Sequence, residues 1–76
     1  MYSAVFRFET GLHDVVQVSR REFEDCLVEN PFQKFLLGPA TVPLDRPQVY
    51  YYICTLADYC RLGMKLAVKV HPRQQL

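Results

Sequence analysis

The sequence predicts an all-β domain, a sandwich or barrel of about five to six short strands with one small helix. Short stretches of alternating or branched apolar residues recur along the chain, with Gly-, Pro- and Asp-bearing turns between them. A capping-box spacing, Ser19-Arg20-Arg21-Glu22, marks one helix start. At 76 residues the chain holds one small domain with a thin core, a size at which natural domains often add a disulfide or a metal.

The elements follow in order. Val5 to Glu9 alternates, Phe6 and Phe8 on one face and Arg7 and Glu9 on the other, as in a half-buried strand. Thr10-Gly11 breaks it, and the branched run Leu12 to Val18 predicts a second strand with His13 near its start. The helix is expected from about Arg20 to Cys26, closed off before Pro31. Gly38-Pro39 marks a turn. Thr41 to Leu44 forms a strand that Pro43 confines to an edge or a bulge. After the turn Asp45-Arg46-Pro47-Gln48, the segment Val49 to Cys54 is apolar on both faces, as a central strand requires. A loop from Thr55 to Gly63 leads to Lys65–Val70, where Leu66, Val68 and Val70 point inward and Lys65 and Lys69 outward.

Composition narrows the function. Half the residues are hydrophobic and 22% are charged, which reads as globular rather than disordered. The net charge is +1 and the basic residues form no run, so a nucleic-acid surface has no footprint here. No apolar stretch approaches a membrane span, and Met1–Phe8 lacks the flank and cleavage site of a signal peptide. There is no Ser-His-Asp order, paired-carboxylate signature or Gly-rich phosphate loop, so no enzyme class is indicated.

The three cysteines, Cys26, Cys54 and Cys60, are an odd number in a short chain. One pair plus a free thiol, or three reduced thiols, both satisfy the count. The residues with metal chemistry are His13, Cys54 and Met64: an imidazole, a thiolate ending one strand and a thioether opening the next. Type 1 copper uses a soft thiolate, imidazoles and a weak axial thioether. Each residue also has an ordinary role, His13 at the surface, Cys54 as a buried thiol and Met64 as core filler. Zinc is a lesser rival without a nameable fourth ligand, and Cys54 and Cys60 are not spaced as Cys-x-x-Cys.

Taken together, several segments resemble the phytocyanin family of plant blue copper proteins. Val5-Phe6-Arg7-Phe8 followed by Gly11-Leu12-His13-Asp14-Val15-Val16-Gln17-Val18 is similar to the stretch carrying the first copper histidine. Gly38-Pro39-Ala40-Thr41-Val42 resembles a glycine-led edge strand of that family. Tyr51-Tyr52-Ile53-Cys54 resembles the family's copper-cysteine strand, and Cys60 to Lys65 its Cys-x-x-Gly-Met/Gln-Lys segment. The resemblance implies a cupredoxin-like Greek-key β-sandwich, incomplete, over residues 1–70, with a tail at 71–76. It implies one type 1 copper held by His13, Cys54 and Met64, single-electron transfer, and a disulfide between Cys26 and Cys60. An extracellular, apoplastic setting follows, with a monomer that meets a redox partner or cell-wall component.

Four departures from the family pattern bear on these expectations. Tyr59 stands where the family has its second copper histidine. A neutral imidazole binds metal directly, whereas a free phenol gives up its proton only near pH 10, and its oxygen lies further from the backbone. Tyr59 therefore reads as a packed or surface tyrosine. His71 cannot replace the missing ligand, because the chain from Met64 to His71 extends about 23 Å at roughly 3.3 Å per residue. The chain also begins near what would be the family's third strand, which predicts an N-terminally truncated domain with an open edge. Gln48 stands where glycine is usual, predicting strain in that turn. Finally, Thr55-Leu56-Ala57-Asp58 replaces a loop that favours Pro-Gly. Early nodulin-like relatives have lost ligands, so a copper-free cell-wall or surface interaction module is the alternative.

Overall fold

β-Branched and aromatic residues dominate the pairing segments of the computed structural model, which describes residues 2–72. Strand β1 (Tyr2–Phe6) is followed by β2 (Val15–Val18), helix α1 (Arg20–Asp25), β3 (Gln33–Phe35), β4 (Ala40–Leu44), β5 (Val49–Ile53) and β6 (Lys65–Lys69). They form two sheets, β1-β4 and β3-β2-β5-β6, with antiparallel neighbours throughout. The expected two-sheet sandwich with one short helix is the architecture observed.

The sheets meet over aromatic and branched side chains. Val15, Val42, Leu44, Tyr50 and Tyr52 form the buried cluster between them, with Phe6, Phe8, Phe35 and Val68 packed against it. The Phe6 and Tyr52 rings lie 4.9 Å apart, and Tyr50 stacks parallel to Tyr52 at 6.4 Å. The second cluster, Val16, Val18, Ile53 and Cys60, lies under Phe23 of the helix. Strand β5 thus buries Tyr50 and Tyr52 on one face and Ile53 on the other, as a central strand should.

Helix α1 starts as its capping box dictates. Ser19 Oγ accepts the Glu22 N–H, and the Glu22 carboxylate accepts the Ser19 N–H in return. The other Glu22 oxygen accepts the N–H groups of Glu29 and Asn30 at 2.6 and 3.0 Å, so one buried side chain also holds the segment after the helix. These bonds lower the Glu22 pKa to about 2. Cys26 ends the helix in the left-handed conformation, φ 55°, and is disulfide-bonded to Cys60 across 34 positions. Closing a loop of that size stabilises a fold by about 4 kcal/mol on the chain-entropy account.

Several boundaries differ from expectation. The first strand lies three residues earlier than Val5–Glu9, because Phe6 pairs with Ala40 and the chain then bends around Gly38. A β-carbon at Gly38 would collide with the Phe8 carbonyl, so only glycine allows that approach. The second strand begins at Val15 rather than Leu12. The Glu9 carbonyl accepts the N–H groups of both Leu12 and His13, curling Thr10–His13 into a turn with Gly11 at φ 86°. Strand β3 was not expected: it is short, polar and half uncovered, and it exists because Phe35 pairs with Val15. Leu66, expected inward and paired with the buried Tyr52, is 49% exposed and lines an open cleft with Phe6 and Tyr52. Gln48 does not take the positive φ that favours glycine; among the described residues such values at non-glycine positions fall on Cys26 and Ala57. Of the expected tail, residues 73–76 lie outside the described residues.

Candidate metal centre

Two segments end side by side at one end of the four-stranded sheet. His13 closes the Glu9–His13 turn just before β2, and Cys54 follows β5, which pairs with β2 through Val16 and Ile53. The His13 Nδ1 and Cys54 Sγ atoms are 3.9 Å apart. A metal bound roughly 2.0 Å from nitrogen and 2.3 Å from sulfur, at an angle of about 120–130°, holds its donors about 3.7–3.9 Å apart. The pair is therefore spaced as two ligands of one ion. Cys54 is buried and unpaired, while Cys26 and Cys60 form the disulfide.

The loop after Cys54 folds back so that Met64 returns to it. Leu62 N–H donates to the Asp58 carbonyl, Gly63 N–H to Cys60, and Met64 N–H to Tyr59. Gly63 takes φ 107°, a conformation side chains rarely adopt. The Cys54 N–H then donates to the Met64 carbonyl at 3.2 Å, placing thiol and thioether residues side by side at the mouth of β5 and β6. His13, Cys54 and Met64 line one open cleft of about 330 Å³, walled by Phe6, Phe8 and Tyr52. Met64 is 43% exposed, so this side of the cleft faces solvent.

Tyr59 takes a different place. Its ring meets the His13 ring edge-on, centroids 4.6 Å apart and planes at 65°. Among the described residues it is not part of the lining that His13, Cys54 and Met64 share. His71 lies with Tyr2, Leu44 and Asp45 around a separate cleft.

Two residues that the sequence reading passed over hold the site together. Asp14 is buried, and its carboxylate accepts the Thr55 N–H at 2.7 Å and the Thr55 hydroxyl. Each neighbours a candidate ligand, so the pair ties the His13 turn to the Cys54 strand end. The available signal was a charged residue between His13 and the apolar run Val15-Val16. A buried carboxylate there needs partners.

The three candidate donors, one imidazole, one thiol able to ionise and one thioether, fit copper in kind, and the Tyr59 phenol lies outside the cleft they line. Among the described residues no group of three or more His, Cys, Asp or Glu side chains could hold a metal, so a site here depends on the thioether.

Comparisons with known proteins bear on the family and the fold. Residues 3–64 match the plastocyanin-like domain family. The chain is 40% identical over 65 residues to a blue copper protein of Arabidopsis thaliana, covering 86% of this chain and 33% of that protein. It is 38% identical over 68 residues to early nodulin-like protein 1 of the same plant, covering 90% of this chain and 18% of that protein. The chain thus spans a third or less of these two relatives. Spinach plantacyanin superposes with a TM-score of 0.82 at 29% identity, over 90% of this chain and 74% of that one. With its two-sheet sandwich and this match over most of its length, the chain belongs to the phytocyanin family, with a cupredoxin-like fold.

Proposed function

We propose that the protein is a phytocyanin-type electron carrier with an altered type 1 copper site, in which His13, Cys54 and Met64 are the metal donors. The observation that carries this reading is the 3.9 Å separation of His13 Nδ1 and Cys54 Sγ. Copper bound there would supply a one-electron couple in a coordination sphere that changes little between oxidation states. The chain's own contribution is rigidity. Asp14 and Thr55 tie the two ligand-bearing segments, the Cys26–Cys60 disulfide braces the ligand loop, and Gly63 turns Met64 toward Cys54. The exposed Met64 side is where a redox partner would approach. The disulfide favours an oxidising, extracellular setting.

One observation favours a second reading. Tyr59, which the resemblance aligns with the family's second copper histidine, packs its ring edge-on against His13 outside the cleft lining, and 38% identity links the chain to an early nodulin-like protein. On that reading the domain is a copper-free module for cell-wall or surface contacts.

A visible absorption spectrum after addition of one equivalent of Cu(II) separates the two. An intense thiolate-to-copper band that disappears in Cys54→Ser supports the electron carrier. A protein folded by circular dichroism that stays colourless and loses all copper on dialysis leaves the copper-free module.

A further inference from the structure

Resting on the copper reading above, we propose that this site selects copper in its monovalent state, with Tyr59 as the residue that sets the selectivity. The three donors are two sulfurs and one imidazole, and His13 and Cys54 already stand at the spacing of two ligands of one ion. A soft d10 cation is satisfied by two or three such donors. Divalent copper gains most from nitrogen and oxygen ligands in a fuller coordination sphere. Replacing an imidazole by Tyr59 therefore removes the type of donor that Cu(II) uses best and leaves both sulfurs that Cu(I) prefers.

Tyr59 does not make good the loss. Its ring is held edge-on to His13 at 4.6 Å, apart from the lining where His13, Cys54 and Met64 meet. A phenol must also lose its proton before it can bind. The Tyr59 carbonyl accepts the Met64 N–H, so the backbone at this position is fixed by the same loop that brings Met64 back to Cys54. Binding Cu(I) displaces the Cys54 thiol proton to solvent, and no electron is exchanged. Since the ratio of the two affinities sets the reduction potential, weaker Cu(II) binding at unchanged Cu(I) binding places this site's potential above that of a two-histidine site.

The experiment measures Cu(I) affinity by anaerobic competition with a chromophoric chelator and Cu(II) affinity by competition with an amino-acid chelator. Monovalent silver serves as a redox-inert probe, read as protection of Cys54 from alkylation by mass spectrometry. In the wild-type chain, silver slows Cys54 alkylation at least about tenfold, and Cu(I) is held more tightly than Cu(II). Tyr59→His raises Cu(II) affinity about 100-fold, the scale of a site-tuning interaction, and leaves Cu(I) affinity within about threefold. Tyr59→Phe, which keeps the ring packing, leaves both affinities unchanged. The selectivity is overturned if the wild type holds Cu(II) as tightly as Tyr59→His does, or if Tyr59→Phe loses Cu(II) affinity, which makes the phenol a ligand. A wild-type chain that binds neither copper ion nor silver overturns the copper reading itself.

Discussion

Asp14 accepts both the backbone N–H and the hydroxyl of Thr55, so a single buried carboxylate spans the gap between the His13 turn and the end of β5. Each partner sits one residue from a candidate metal donor. The distance between those donors is thus controlled by a contact that neither donor makes.

Asp14→Ala leaves the Thr55 groups without this acceptor in a part-buried site. Losing hydrogen bonds to a charged group lowers stability by about 2–3 kcal/mol, read as a lower urea midpoint. Asp14→Asn keeps an acceptor for the N–H and can donate to the hydroxyl, so its loss is below about 1 kcal/mol. Cys54 alkylation in the metal-free protein should accelerate in the alanine variant and stay slow in the asparagine variant.

Glu22 links stability to acid pH. Hydrogen bonds from the backbone of Ser19, Glu29 and Asn30 and from the Ser19 hydroxyl hold its folded pKa at about 2, against 4.5 without them. A lowered folded pKa means the stabilisation is complete above about 4.5 and is lost as pH falls through about 2. Urea midpoints should therefore decline steadily over that window. Glu22→Gln should flatten the decline while lowering stability at pH 7.

Tyr52 gives the opposite dependence at the alkaline end. Burial, with a smaller contribution from Tyr50, pushes its pKa up to about 12. A raised folded pKa leaves stability intact below about 10 and removes it as pH rises toward 12. The Tyr52 hydroxyl is buried with no hydrogen-bond partner among the described residues, so Tyr52→Phe keeps the ring against Phe6 and removes an unmet donor. We expect Tyr52→Phe to raise the urea midpoint by about 1 kcal/mol of stability and to weaken the alkaline decline.

Much of this molecule was legible in the chain itself. Branched and aromatic runs located β2 and β5 and an alternating run located β6, three strands of the four-stranded sheet, because those residue types favour extended backbone. Ser19 and Glu22 placed the helix start, since capping acts over three residues and needs no distant partner. The residue types of a soft-metal site, His13, Cys54 and Met64, were visible, as was the substitution at Tyr59.

What required the tertiary structure is whatever depends on pairing between distant segments. Strand β3 carries no pattern of its own and forms because Val15 offers Phe35 a partner. The early position of β1 follows from β4 and the close approach of Gly38 to Phe8, contacts more than 25 residues apart in sequence. Leu66 has the pattern of an inward residue and is half exposed at an open cleft, a placement its own strand's pattern does not carry. The 3.9 Å between His13 and Cys54, and the Asp14–Thr55 contact beside it, join residues 41 positions apart. Local sequence determines which backbone conformations are cheap and which side chains carry chemistry. Only the packing of the two sheets determines which of those side chains meet.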